Sequence, residues 1–175
     1  IAAVQHAACD LVVLPKVESA EVAARVAELV EKPLLVMIET PKGVLAAPQI
    51  AAADGVAGLL VGANDLANEL RLPPASGRAA MSMALQTIVM AARAAGVWVL
   101  DSVYNDLANA DGLDAECREG RALGFDGKTL IHPNQIDIAN AAFMPDASEI
   151  EDARALVAAA SGGAERRGGE QGACA

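Results

Sequence analysis

Five polar residues recur at intervals that suit a single catalytic rim. They are Lys16, Glu39, Asp65, Asp101 and His132, separated by 23, 26, 36 and 31 residues. Each closes a short β-branched or aliphatic run, about one strand-plus-helix unit after the last. Strand ends are wet in most folds, so any one of these residues is unremarkable. Five of five, three of them carboxylates, point as a set to a site. Glu39 and Asp65 lie one unit apart, so their carboxylates can share one hard cation. Mg²⁺ suits such a pair, because it takes one or two carboxylates and completes its octahedron with water or substrate oxygens. The competing reading makes both acids helix N-caps. Gly62-Ala63-Asn64-Asp65 supplies small residues that let a substrate approach the backbone. Thr40-Pro41-Lys42-Gly43 opens a helix whose free N–H groups suit a carboxylate. Lys16 either neutralises a phosphate or carboxylate or forms a Schiff base, which needs no metal. Asp101 is either a third polar contact or the cap of the next loop; Lys16 and Asp101 are the candidate catalytic residues. His132 precedes Pro133, where structural hydrogen bonding is expected ahead of base catalysis.

The elements that would carry these residues alternate. Strands are expected over Leu11–Pro15, Leu34–Ile38, Val56–Val61, Val97–Leu100 and Phe125–Ile131. Helices are expected over 19–30, 43–53, 77–95, 113–123, 134–142 and 148–160, with Gly96 and Gly124 as stops. Near-continuous apolar strands alternating with helices mean an α/β fold with a parallel sheet covered by helices. A dinucleotide-type open sheet wants a glycine-rich turn after its first strand. Leu14-Pro15-Lys16-Val17-Glu18 holds no glycine there. The TIM (βα)8 barrel is therefore the expected fold. Five units cannot close eight strands, and a barrel usually needs ~250 residues. The sequence thus reads as the last five βα units of a barrel domain over 1–160, with about three units expected before it. Residues 161–175 read as a Gly-rich tail.

Four motifs in order sharpen this reading: Leu14-Pro15-Lys16-Val17-Glu18, Ile38-Glu39-Thr40-Pro41-Lys42-Gly43, Gly62-Ala63-Asn64-Asp65-Leu66, and the ten-residue run Gly124–Pro133. Together they resemble the citrate lyase beta subunit-like branch of the HpcH/HpaI aldolase superfamily, which includes citryl-CoA, malyl-CoA and citramalyl-CoA lyases. The resemblance covers about residues 8–160. It implies a TIM barrel, usually trimeric, that uses Mg²⁺ to cleave or form a C–C bond in a 3-hydroxy-acyl-CoA. The products of cleavage are an acyl-CoA and a 2-keto acid. The family's metal glutamate and aspartate match Glu39 and Asp65, and Gly62, Ala63 and Asn64 would help hold the keto acid. An arginine on an early strand, and a lid aspartate given to a neighbouring subunit, fall outside this sequence. The resemblance leaves two other functions open: a malyl-CoA-type thioesterase, and a catalytically degenerate assembly subunit. The alpha and gamma subunits of a citrate lyase complex are possible partners.

Composition sets outer limits. The 175 residues carry 13 basic and 23 acidic side chains, a net of −10, which argues against generic binding to nucleic acid or anionic membrane. CoA is itself anionic, so local cations must offset that field; Arg71, Arg78 and Lys128, with Lys16, are the candidates. The chain is 54% hydrophobic, yet only four residues are aromatic. That composition predicts closely stacked alanine-rich helices. No apolar run approaches the ~18 residues of a membrane span. Three unclustered cysteines suggest neither a disulfide framework nor a zinc site, and a cytoplasmic setting is expected.

Overall fold

The computed structural model describes residues 2–169. A single turn, α1 (Ala2–Gln5), leads into β1 (Val12–Leu14). The Ser19 hydroxyl then caps α2 (Ala20–Val30) by accepting from the Val22 N–H. β2 (Leu34–Ile38) is followed by α3 (Pro41–Ala51), where Thr40 Oγ1 accepts from the Gly43 N–H at 3.0 Å. Pro41 suits the first helical position, because its missing N–H would have had no partner. β3 (Val56–Val61) runs into α4 (Ala63–Glu69). A 3₁₀ turn over Arg78–Met81 feeds α5 (Ser82–Ala95), which stops at Gly96. β4 (Trp98–Asp101), α6 (Ala110–Leu123), β5 (Gly127–Lys128) and α7 (Ile136–Phe143) complete the first compact unit. A second unit begins at Met144 and consists of α8 (Ala147–Gly169). Its start is a reciprocal cap: the Asp146 N–H donates to Glu149, and the Glu149 N–H donates to Asp146.

The five strands are all parallel and stand in the order β1-β2-β3-β4-β5. A doubly wound sheet reverses direction at a switch point. Here each right-handed crossover steps the same way, which places successive helices on one face. That is the topology of a barrel wall, as the sequence leads one to expect.

Strand periodicity separates the two faces. Leu34, Val36 and Ile38 of β2, Leu59 and Val61 of β3, and Val99 of β4 join the buried core under the helices. Val13, Met37 and Leu60 point the other way, into the barrel-interior side. Alanine does what its abundance predicts: Ala47 on α3 and Ala91 and Ala92 on α5 are buried where these helices pack. Cys117 lies in the core, whereas Cys9 is exposed. No helix among the described residues is long and apolar enough to cross a membrane.

Three expectations shift. The Gly62–Glu69 stretch, read as loop, contains α4, with Leu66 fully buried beneath it. β5 shrinks to two residues, because the Phe125 N–H turns back to Gly120 O and only the span from Asp126 to Thr129 reaches β4. The expected tail over 161–175 is helical as far as Gly169, consistent with Ala, Glu and Arg lying between its glycines. Residues 170–175 and the side chains of 161–169, Arg166 and Arg167 among them, lie outside the described residues.

One charged staple ties α5 to the sheet. Arg93 donates to both oxygens of Asp126, at 2.6 and 3.1 Å, and to Gly124 O. Asp126 Oδ2 also accepts from the Val99 N–H at 2.8 Å. Partial burial acts to raise the Asp126 pKa, but Arg93 and the Val99 N–H outweigh it and leave the group below its ordinary value of 3.8. A depressed carboxyl stabilises the fold above its unfolded-state pKa and loses that contribution as pH falls through the folded-state value. Asp126→Asn should therefore cost about 1 kcal/mol at pH 7 at this part-exposed site. The gap between variant and wild type in urea unfolding should hold down to about pH 5 and close below about pH 4.

Candidate active site

The alternation that builds the core also decides which polar residues reach the open side. Ile38 faces the helices, so Glu39 turns toward the interior side, where it is only 5% exposed. Glu39 Oε1 accepts from the Lys16 backbone N–H at 2.8 Å. Lys16 makes that contact with φ at 54°, a left-handed conformation unusual for a non-glycine residue. Gly62 gives Glu39 its room: a Cβ there would lie 2.5 Å from Glu39 Cβ and 2.8 Å from Oε2. Asp65 stands in the first turn of α4, and its Oδ2 pairs with Lys16 Nζ at 3.0 Å. Glu39, Gly62, Ala63, Asn64 and Asp65 share one cavity of about 380 Å³, with Ser102 and Thr129 on its opposite wall. A larger hollow of about 780 Å³ lies at the other end of the strands. Its acids Glu28, Glu31 and Asp54 are interspersed with Arg25 and Lys32, and no strand C-terminus aims into it.

Electrostatics follow the geometry. Burial pushes the Glu39 carboxyl above its ordinary pKa; the Lys16 N–H opposes this, and the charge on Asp65 adds to it. The hydrogen bond and charge of Asp65 raise the Lys16 ammonium, with Glu39 and Glu69 contributing. Among the described residues no group of three or more His, Cys, Asp or Glu is placed to hold a metal. A site built from two carboxylates still suits Mg²⁺, whose remaining positions go to water or substrate oxygens. The paired acids, the glycine clearance beside Oε2 and the open volume all fit such an ion.

Asp101, expected at the same rim, does not join it. It shares the parity of Val99 and so points under the helices, with no exposed surface. Its Oδ1 accepts from the Ser102 N–H at 2.7 Å and lies 2.9 Å from Arg78 Nη2. Its Oδ2 accepts from Lys128 Nζ at 3.1 Å. Lys128, whose side chain has no exposed surface, also donates to Glu116 at 2.6 Å. Arg78 reaches Glu119 at 3.2 Å, a contact of ion-pair distance without hydrogen-bond alignment. Gly120 leaves space for the cluster, since a Cβ there would meet Asp101 Oδ2 at 2.8 Å. Asp101 and Lys128 thus lie inside the fold away from the Glu39–Asp65 cavity, and Arg78 beside them lines a neighbouring cavity that also takes in Asn64 and Ser102; these charges offset one another there. Arg71 is exposed, just past α4. His132 lies four residues beyond β5, and its Nδ1 accepts from the Asn134 N–H as a cap.

Sequence reasoning missed Ser102, Thr129 and Asn105. Asn105 and Asn64 exchange two side-chain hydrogen bonds, at 2.9 and 3.2 Å, and both line a cavity beside that of Glu39 and Asp65. Parity along Val99–Ser102 would have pointed to Ser102. The Asn pairing joins residues 41 apart and leaves no local signal.

Lys128→Met should destabilise the fold by about 3 kcal/mol in urea unfolding, because it leaves buried carboxylate charge with one partner fewer. A loss below about 1 kcal/mol would show that the cluster is hydrated.

Comparison with known proteins follows the same lines. Residues 1–133 match the family described as HpcH/HpaI aldolase/citrate lyase. A (3S)-malyl-CoA thioesterase from Cereibacter sphaeroides is 45% identical over 160 residues, covering 91% of this chain and 56% of that protein. The citrate lyase beta subunit of Mycobacterium tuberculosis, complexed with oxaloacetate and magnesium, is 38% identical with a TM-score of 0.70. That match covers 79% of this chain and 63% of the other. The protein CitE from M. tuberculosis with magnesium, acetoacetate and coenzyme A gives 37% identity and a TM-score of 0.74, covering 89% and 59%. The chain spans about half the length of the curated relatives it matches.

Proposed function

Since the chain belongs to the HpcH/HpaI aldolase/citrate lyase family, we propose that its cavity is the metal and keto-acid end of a Mg²⁺-dependent acyl-CoA lyase. The substrate class is a 3-hydroxy-acyl-CoA such as citryl-CoA or malyl-CoA, cleaved to or formed from an acyl-CoA and a 2-keto acid. The observation that carries this reading is the convergence of Glu39 and Asp65 on one cavity at the C-terminal ends of parallel strands. In barrel enzymes, that end is where chemistry is done. Relatives solved with magnesium, oxaloacetate and coenzyme A support the ligand set.

Glu39 and Asp65 would hold the ion, which when bound supplies positive charge beside the oxygen that becomes a carbonyl. Gly62, Ala63 and Asn64 form the wall against which the keto acid lies. A Schiff base needs a neutral amine, and the raised Lys16 pKa argues against one while its pair with Asp65 is intact. Lys16 acts instead through its charge and its backbone N–H. Arg71 and Lys16 are the CoA candidates exposed to meet phosphate. In this reading the protein works in the cytoplasm as a homotrimer, with citrate lyase alpha and gamma subunits as partners if it belongs to such a complex.

A second reading has its own support. Relatives at 45–46% identity are named (3S)-malyl-CoA thioesterases. Thioester hydrolysis would use the same carboxylates and metal with water as the acceptor. A panel of acyl-CoA thioesters with Mg²⁺, following keto acid and free CoA separately, divides the two. A lyase releases keto acid without free CoA, whereas a thioesterase releases free CoA without keto acid. Glu39→Gln and Asp65→Asn should each cost most of the turnover, about a hundredfold or more, and the double variant should be little worse than either single, since both act through one ion. Wild-type turnover by either variant at limiting Mg²⁺ would refute the site.

A further inference from the structure

Lys16 touches both candidate metal carboxylates, and it does so with different atoms. Its backbone N–H donates to Glu39 Oε1 at 2.8 Å, and its ammonium pairs with Asp65 Oδ2 at 3.0 Å. The two holds differ in kind. The N–H is fixed by the β1–α2 turn, where Lys16 adopts φ 54° and the next residue, Val17, is 1% exposed in the core. The ammonium sits on a four-carbon stem whose side chain is 64% exposed, with Asp65 44% exposed. One hold is permanent and the other can be released. Glu39 and Glu69 also act on the ammonium, so it lies in an acidic setting and Asp65 is the acid it touches.

Two carboxylates brought to one cavity repel, and a positive charge between them relieves this. A divalent ion and the Lys16 ammonium answer the same demand and compete for Asp65 Oδ2. We propose that Lys16 is a positioning residue with an exchangeable charge. It keeps Glu39 oriented through its backbone and occupies Asp65 through its ammonium until a divalent cation takes that place. The inference rests on the metal reading above and adds a residue that opposes metal binding while preparing the site for it.

Titrating Mg²⁺, and Mn²⁺ as a spectroscopic stand-in, into the full chain tests this by calorimetry and by the Mn²⁺ resonance signal. Lys16→Gln keeps the backbone N–H and a shorter polar side chain while removing the charge. It should bind either ion about three- to tenfold more tightly than wild type. Lys16→Arg, which restores a cation, should bind within about twofold of wild type. Without metal, Lys16→Gln should melt below wild type, and adding Asp65→Asn should remove that deficit. Equal or weaker metal binding by Lys16→Gln would overturn the exchange while leaving the metal site standing. A wild-type chain that binds neither ion would overturn both, and its own isotherm would show this.

Discussion

Mutual repulsion between Glu39 and Asp65 is the demand around which the open end of this sheet is organised. Burial and a second acid beside it disfavour charge on Glu39, which is 5% exposed, so its surroundings must hold it in place. Three neighbours do so. Gly62 has no Cβ to push Glu39 off its line. The Lys16 N–H fixes one Glu39 oxygen, and the Lys16 ammonium balances Asp65. Lys16, Glu39 and Gly62 belong to three different βα turns, so the site exists only once β1, β2 and β3 are in register.

A second charge cluster lies on the far side of the sheet and serves a different purpose. The Asp101 and Lys128 side chains are fully buried and Arg78 nearly so, with Glu116 and Glu119 at the margin. Ion pairs out of water rarely add much net stability, because desolvation offsets their attraction. They do demand one arrangement. Here the arrangement ties the end of β4 to β5 and to the turn before α5. The Thr129 N–H and hydroxyl both donate to Asp101 O, while Asp101 Oδ1 holds the Ser102 N–H. Ser102 and Thr129 then stand on the cavity wall opposite Glu39. The buried charges shape the site from behind without entering it.

Much of this was legible in the residues, for reasons that can be stated. β2 and β3 are apolar runs bounded by turn residues, and their limits match those read from the sequence. The placement of Glu39 and Asp65 at one end of the sheet was legible because Glu39 directly follows β2 and Asp65 comes soon after β3. Asp101 misled because a polar residue at a strand end looks the same whichever face it takes; only counting parity from Val99 separates the two. α4 was hidden because Gly62 and Asn64 favour turns, and burial of Leu66 outweighed that preference. The Asn64–Asn105 bridge and the Arg78 contacts depend on tertiary placement that no local pattern encodes.

The sequential strand order also bears on how the chain reaches this state. Every strand pairs with the strand next in sequence, and paired residues are separated by 22 positions at Val12 and Leu34 and by 40 at Gly58 and Trp98. Among the described strands, each pairing joins neighbours in sequence. The entropy of loop closure rises only slowly with length, so each added unit meets a similar and modest barrier. Growth among these five strands can then proceed strand by strand on a wall already standing. Glu39 and Asp65 would face each other as soon as the third strand docks, well before the sheet is complete.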